Sequence, residues 1–155
     1  MEWGTIVGTV LGAVVGVGST LVADRARWRR EQSARDRESK RQLYADYLAA
    51  LSRTRNEFRS LVRQLDLTVE ERAGAAGRSF REGGAYELRY QVALVAPEAV
   101  TVNAHQALHW LRDMNDIVEQ GVVRGDERWE RSHGAFSDAL SALRVAMRTD
   151  LEVTD

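Results

Sequence analysis

Residues 4–23 read GTIVGTVLGAVVGVGSTLVA, a stretch that contains no charged side chain. A helix of 20 residues at a rise of about 1.5 Å per residue extends for about 30 Å, the thickness of the hydrocarbon core of a bilayer. Trp3 precedes the stretch and Trp28 follows it, as expected of aromatic side chains at the two headgroup levels. We therefore predict that residues 1–23 form an N-terminal transmembrane helix.

A cleaved signal peptide is the alternative interpretation of this stretch. Signal peptides begin with basic residues, whereas this chain begins Met1-Glu2-Trp3. Residues 19–23 also match a small-x-small cleavage site poorly. An uncleaved anchor is the better interpretation.

The flanks of the stretch predict its orientation. Residues 24–42, DRARWRREQSARDRESKRQ, hold eight basic and four acidic residues, and the N-terminal flank has no Lys or Arg. The positive-inside rule places residues 24–155 in the cytoplasm and the N-terminus outside the cell (inner) membrane. We expect the lipid bilayer, with its anionic headgroups, to contact a membrane-surface set made of Trp3, Arg25, Arg27, Trp28, Arg29 and Arg30.

Four glycines, Gly4, Gly8, Gly12 and Gly16, recur at intervals of four inside the apolar stretch. On a helix they lie along one side, where a neighbouring helix can approach closely. The pattern resembles the glycine-zipper class of membrane segments, which occurs in dimers and in channel-forming oligomers. It favours a homo-oligomer, with packing against a different membrane partner or no role at all as the alternatives.

The remaining chain predicts helices, and hence an all-α fold. No Gly or Pro occurs from residue 24 to residue 72, which predicts one long helix: a basic juxtamembrane stalk over 24–42, then a bundle over 43–155. The apolar stripe of this helix comprises Tyr44, Tyr47, Leu48, Leu51, Thr54, Phe58, Leu61, Val62 and Leu65. The segment AGAAGRSFREGG (73–84) is the clearest predicted loop.

Residues 85–96 fit either a half-buried strand or a helix. We predict a helix that ends before Pro97, because a single strand would have no partner for its edges. Pro97 suits the first turn of the next helix, which should stop near Gly121, and Asp126 is the expected N-cap of the last helix. The predicted apolar faces of these two helices are Val100, Ala104, Ala107, Leu108, Leu111, Met114, Ile117 and Val118, then Trp129, Phe136, Leu140, Leu143 and Met147. Together these helices make an antiparallel bundle of about four helices.

This layout resembles a group of uncharacterised actinobacterial-type single-pass membrane proteins with a small cytoplasmic helical domain. The matching parts are the Arg-rich exit after residue 24 and the segments YADYL (44–48), LVAPE (94–98) and RTDL (148–151). The resemblance implies the architecture and no activity.

His105 and His109 lie four residues apart on a predicted helix, a spacing that lets two imidazoles bind one zinc ion. Gln106 stands where a metalloprotease helix of this frame has its catalytic Glu, which argues against hydrolysis, and Asp113 is a conceivable third ligand. A histidine pair on an ordinary amphipathic helix is the favoured interpretation. We expect no cofactor and no catalytic residue, so the chain is not predicted to be an enzyme.

Composition restricts the remaining functions. The absence of cysteine excludes a disulfide scaffold, a thiolate metal site and a cysteine nucleophile, and the balance of 22 basic against 23 acidic residues predicts no nucleic-acid partner. The favoured function is a self-associating interaction or scaffold protein that recruits an unknown cytoplasmic protein partner to the membrane. An oligomeric pore is the alternative, although only Thr5, Thr9, Ser19 and Thr20 could line a water path.

Overall fold

The computed structural model describes the backbone of residues 3–153 and the side chains of Arg25, Arg27, Trp28 and residues 31–152. Five helices follow one another: α1 (Trp3–Leu61), α2 (Val69–Glu82), α3 (Ala85–Val95), α4 (Glu98–Glu119) and α5 (Glu127–Val153). No strand occurs within this described range, so the predicted all-α class is confirmed. The chain divides into two compact units, Met1–Ser39 and Lys40–Asp155.

The predicted transmembrane segment falls within the first unit. Among the residues that the structure describes, no helical stretch combines the length and apolarity needed to cross a bilayer. The side chains of residues 4–23 lie outside that described set, so the anchor stays a prediction. The same holds for the predicted site residues Gly4, Gly8, Gly12, Gly16, Trp3, Arg29 and Arg30.

The second unit is a helical bundle, as predicted. The Tyr44 hydroxyl in α1 donates a hydrogen bond of 2.6 Å to Asp150 near the end of α5. Lys40 forms an ion pair of 2.7 Å with the same carboxylate. At the opposite end of the bundle, the amide of Arg124, just before α5, donates to the carbonyl of Val62, just after α1, at 2.8 Å. Within this unit, α1 and α5 are therefore antiparallel.

Helices α2 and α3 pack one after the other along α4, and together they take the place of one helix of the bundle. Arg72, at the start of α2, bonds to the Gly121 carbonyl just beyond the end of α4. Arg89, in the middle of α3, contacts His105 in the first half of α4. Both short helices therefore run opposite to α4.

The core confirms most of the predicted apolar faces. All five predicted positions of α5 are buried, and so are those of α4 except for the half-buried Ile117. In α1 the predicted stripe is also buried through Val62, apart from the half-buried Leu48. Leu65 is the exception that was predicted wrongly, because its side chain is 76% exposed.

The prediction of one continuous helix to about residue 72 is wrong, since α1 ends at Leu61 and the chain turns through residues 62–68. The Val62 carbonyl accepts its bond from the Arg124 amide of another loop. Thr68 then starts a new helix through a capping box, in which its hydroxyl accepts from the Glu71 amide and the Glu71 carboxylate accepts from the Thr68 amide. A tertiary contact and a local cap, with no Gly or Pro, therefore end the helix.

The predicted loop over residues 73–84 is also wrong, because most of it forms α2. Glycine in a helix costs about 1 kcal/mol relative to alanine, but the capping box and tertiary packing offset that cost here. Gly77 is buried, and a Cβ on it would lie 3.2 Å from the Glu119 carboxylate of α4. The glycine allows α2 to pack closely against α4.

Most of the predictions for the second half of the chain are confirmed. Residues 85–95 are helical, and the chain turns at Ala96 and Pro97 before α4 begins at Glu98. Pro97 occupies the N-cap position, one residue before the predicted first turn. The Asp126 carboxylate accepts a bond of 2.8 Å from the Arg128 amide, as expected for the N-cap of α5.

Candidate interaction groove between α3 and α4

The antiparallel pair α3 and α4 encloses a surface groove. One cavity of about 350 Å³ is lined by Arg89, Tyr90, Ala93, Thr101, Val102, His105 and Gln106. A second cavity, of about 160 Å³, is lined by Tyr86, Arg89, His105, Leu108, His109 and Arg112. Arg89 and His105 line both cavities, which together form what we call the α3–α4 groove.

Arg89 is held in a fixed position in this groove. Its guanidinium carbon lies 4.6 Å from the centroid of the Tyr90 ring and 5.6 Å from that of Tyr86. One guanidinium nitrogen lies 3.0 Å from Nδ1 of His105. Arginine can only donate, so Nδ1 of His105 accepts this bond. Stacking on two rings and bonding to a third fixes the cation before any ligand arrives.

The two tyrosines support each other. Their rings meet edge to face with centroids 5.3 Å apart, and the Tyr90 hydroxyl donates to that of Tyr86 at 2.9 Å. The pKa of Tyr90 is lowered, because its oxygen, once ionised, can accept hydrogen bonds from the Tyr86 hydroxyl and then from Arg89. The i, i+4 spacing places both rings on the same side of α3.

The groove is basic, and its lining includes exposed apolar side chains. No acidic residue lines either cavity, whereas Arg89, Arg112 and two histidines do. Among its lining residues Val102 is 60% exposed and Tyr90 50% exposed, and Leu94, which follows the lining residue Ala93 on α3, is 85% exposed. This arrangement can hold an apolar side chain beside a carboxylate.

Both histidines predicted as metal ligands lie on α4 beside this groove. His105 accepts from Arg89, and the His109 ring packs edge to face against Trp110 with centroids 5.2 Å apart. Among the described residues, no group of three or more His, Cys, Asp or Glu side chains could hold a metal ion. Asp113, the conceivable third ligand, therefore does not complete a site with the two histidines. Instead, the two histidine side chains line the α3–α4 groove.

The predicted membrane-surface residues whose side chains are described lie in the first unit. Arg25 and Arg27 are exposed, and Nε of Arg27 forms an ion pair of 2.9 Å with Glu31. Trp28 is 64% exposed.

His105 and His109 were predictable as candidate site residues from their spacing, whereas Arg89, Arg112 and the two tyrosines of the groove were not predicted. A usable signal was present in the segment 85–96, because Tyr86 and Tyr90 are spaced i, i+4 on the polar side of a helix. Comparison of the chain with models of protein families, with curated proteins and with solved structures found no match.

Proposed function

We propose that this protein is a membrane-anchored, self-associating scaffold whose cytoplasmic bundle binds a protein partner in the α3–α4 groove. The partner presents an amphipathic segment with an apolar side chain next to an Asp or Glu. The observation that carries the proposal is an oriented arginine inside a groove whose lining includes exposed apolar side chains and no acidic residue. We infer binding and not catalysis, since the groove offers recognition groups and no nucleophile paired with a base.

The apolar side chain of the proposed partner segment is inferred from the exposed apolar residues at the groove. Exposed aliphatic side chains that cluster around a cavity are typical of protein-binding surfaces, whereas single exposed ones are ordinary. Leu94 and Val102 lie on the two helices that form the groove, and Tyr90 is also half exposed. Covering these side chains would remove apolar area from water at about 25 cal/mol per Å².

The acidic side chain of the proposed partner segment is inferred from the orientation of Arg89 and from the absence of acidic residues in the groove lining. Its guanidinium is oriented by the tyrosines and by His105, and the lining of the groove contains no carboxylate that could pair with it. Arginine binds carboxylates through two parallel hydrogen bonds, which makes an acidic side chain the best match. Arg112 adds a second positive charge at the same groove.

The membrane half of the proposal depends on the first unit. The apolar stretch 4–23 is long enough to span a bilayer, and the exposed Trp28 next to Arg25 and Arg27 suits a headgroup region. The glycine spacing supports self-association in the membrane. A scaffold of this kind would present several grooves on one membrane patch, so weak single contacts would add up through multivalency.

Site-specific photo-crosslinking tests the groove. A photo-reactive amino acid replaces Val102 in the groove or Val145, which is 58% exposed on α5, as a matched control. We expect crosslinks in native membranes from position 102 only, to a partner peptide that carries Asp or Glu near the crosslinked residue. The crosslink should disappear with Arg89→Glu. Equal crosslinking from both positions, or a crosslink that survives Arg89→Glu, would refute the proposed binding mode.

Membrane anchoring and self-association need their own experiment. After a carbonate wash the intact chain should stay in the membrane pellet, and its release would exclude the anchor. Gly8→Leu combined with Gly12→Leu should abolish crosslinked oligomers, while Val10→Leu in the same stretch should not. Unchanged oligomers in the double variant would remove the glycines from the proposal.

A further inference from the structure

A second basic cavity lies at the end of the bundle where α1 stops and α5 starts. It measures about 150 Å³, and its polar lining consists of Arg59, Arg63, Arg124, His133 and Glu130, with Trp129 beside them. These residues come from α1, from the loops after α1 and before α5, and from α5 itself. We call it the Arg59–His133 cavity. It shares no residue with the α3–α4 groove.

Positive charge is concentrated around this cavity. Arg55 lies one helical turn before Arg59, and burial followed by the charges of Arg59 and Arg144 lowers the pKa of Arg55. Among the described residues, no ion pair neutralises Arg55 or Arg59. Glu130 is the single acidic residue of the lining. Like charges brought together in this way repel one another, and an anion would relieve the repulsion.

Two buried nitrogen atoms, one of them on the lining residue His133, also have no partner among the described residues. Nε of Arg55 and Nε2 of His133 are buried without a hydrogen bond to any described residue. Buried polar groups are nearly always hydrogen-bonded, so an unpaired buried group needs an explanation. The His133 ring is stacked on Trp129, with centroids 5.5 Å apart and planes 27° apart, which fixes its direction.

We propose that the Arg59–His133 cavity binds a phosphate-type oxyanion, either pyrophosphate or the phosphoryl group of a small soluble molecule. Proteins bind phosphoryl oxygens with arginine guanidinium groups, which can donate two parallel hydrogen bonds, and with imidazoles. The cavity is smaller than the pockets of about 300–1,000 Å³ that hold drug-sized ligands, which restricts it to a compact anion. This site is independent of the scaffold function proposed above.

Proton uptake should accompany binding. Burial, followed by the charges of Arg59 and Arg55, lowers the pKa of His133, while Glu130 raises it. Arg63 and Arg124 are the other charged groups that line the cavity with it. The lowered pKa favours the neutral imidazole in the free protein, whereas a bound dianion favours its protonated form.

Titration calorimetry of the purified full-length chain with inorganic pyrophosphate tests the proposal. We expect saturable binding of one anion per chain, with proton uptake measured from two buffers of different ionisation enthalpy. Arg59→Gln should weaken binding at least tenfold, and His133→Asn should abolish the proton uptake. Arg53→Gln, an exposed arginine of the same helix outside the cavity, is the control and should change affinity less than twofold.

Thermal unfolding supplies a measurement that a purely structural arginine would not reproduce. Arg59→Gln removes repulsion with Arg55, so it should raise Tm without ligand and abolish the rise of Tm that pyrophosphate causes in the unmodified chain. No binding at millimolar pyrophosphate and low ionic strength would overturn the proposal. Equal losses in Arg59→Gln and Arg53→Gln, or Arg59-dependent binding only to vesicles of phosphatidic acid or only to acidic peptides, would overturn it as well.

Discussion

Replacing Arg72 with methionine should destabilise the bundle more than any other single arginine substitution on α2. Arg72 is 2% exposed, and its guanidinium donates to three carbonyls: Gly121 at 2.8 Å, Val122 at 3.2 Å and Gln64 at 2.6 Å. One side chain therefore joins the loop after α1 to the loop after α4. Methionine fills similar space but leaves these carbonyls without their donors.

The magnitude follows from the three hydrogen bonds. A hydrogen bond from a charged donor contributes about 1.5–3 kcal/mol, so three bonds set an upper limit of about 9 kcal/mol. The Gly121 and Gln64 carbonyls are only partly buried, and water can replace part of what they lose. We expect Arg72→Met to lower the free energy of unfolding by about 3–5 kcal/mol.

Urea unfolding followed by circular dichroism measures this loss. With a slope of about 2 kcal/mol per molar urea, the midpoint should fall by about 2 M. Arg78→Met, an exposed position on the same helix, is the control and should stay within about 0.5 kcal/mol of the unmodified chain. A loss below about 1 kcal/mol for Arg72→Met would show that the three bonds do not hold the loops together.

Two further predictions concern α2 and its ends. Gly83→Ala should cost about 2–3 kcal/mol, since its Cβ would overlap the buried hydroxyl of Thr54 and would lie 2.9 Å from the Ser79 carbonyl oxygen. Adding Thr54→Ala should recover part of this loss in urea unfolding, because the contact with the Ser79 carbonyl stays. It should recover none of the roughly 1–2 kcal/mol expected for Gly84→Ala at φ 74°. Bonds from Thr68 lower the pKa of Glu71, so this cap should stabilise the protein fully above the ordinary pKa of 4.5 and lose its effect as the pH falls through the lower folded-state pKa. Glu71→Gln should remove that pH dependence, and an unchanged acid unfolding profile would contradict the assignment.

Sequence periodicity was reliable where a long helix faces the core on one side. In α4 and α5 the apolar positions recur at helical spacing, and all are buried except the half-buried Ile117. The end of α3 was predictable too, because Pro97 disfavours helical geometry in the residue before it.

Periodicity failed around α2 for two different reasons. The capping box of Thr68 and Glu71 was visible in the sequence as a Thr-x-x-Glu spacing, but the glycines at 74 and 77 suggested a loop. The burial of Gly77 against α4, by contrast, is a tertiary fact that no local pattern contains. Glycine weakens an isolated helix and also permits close packing, and only the neighbouring helix decides which effect prevails.

The sequence by itself determined the helical class, the inward faces of the last two helices and the expectation of an apolar anchor, since each depends on spacing or composition within one segment. The tertiary structure alone decided where α1 stops, and it brought Arg89 to His105 and Arg59 to His133. The residues of each cavity come from different helices. These residues come close only because segments that are distant in the sequence pack together, and a local sequence pattern cannot predict such packing.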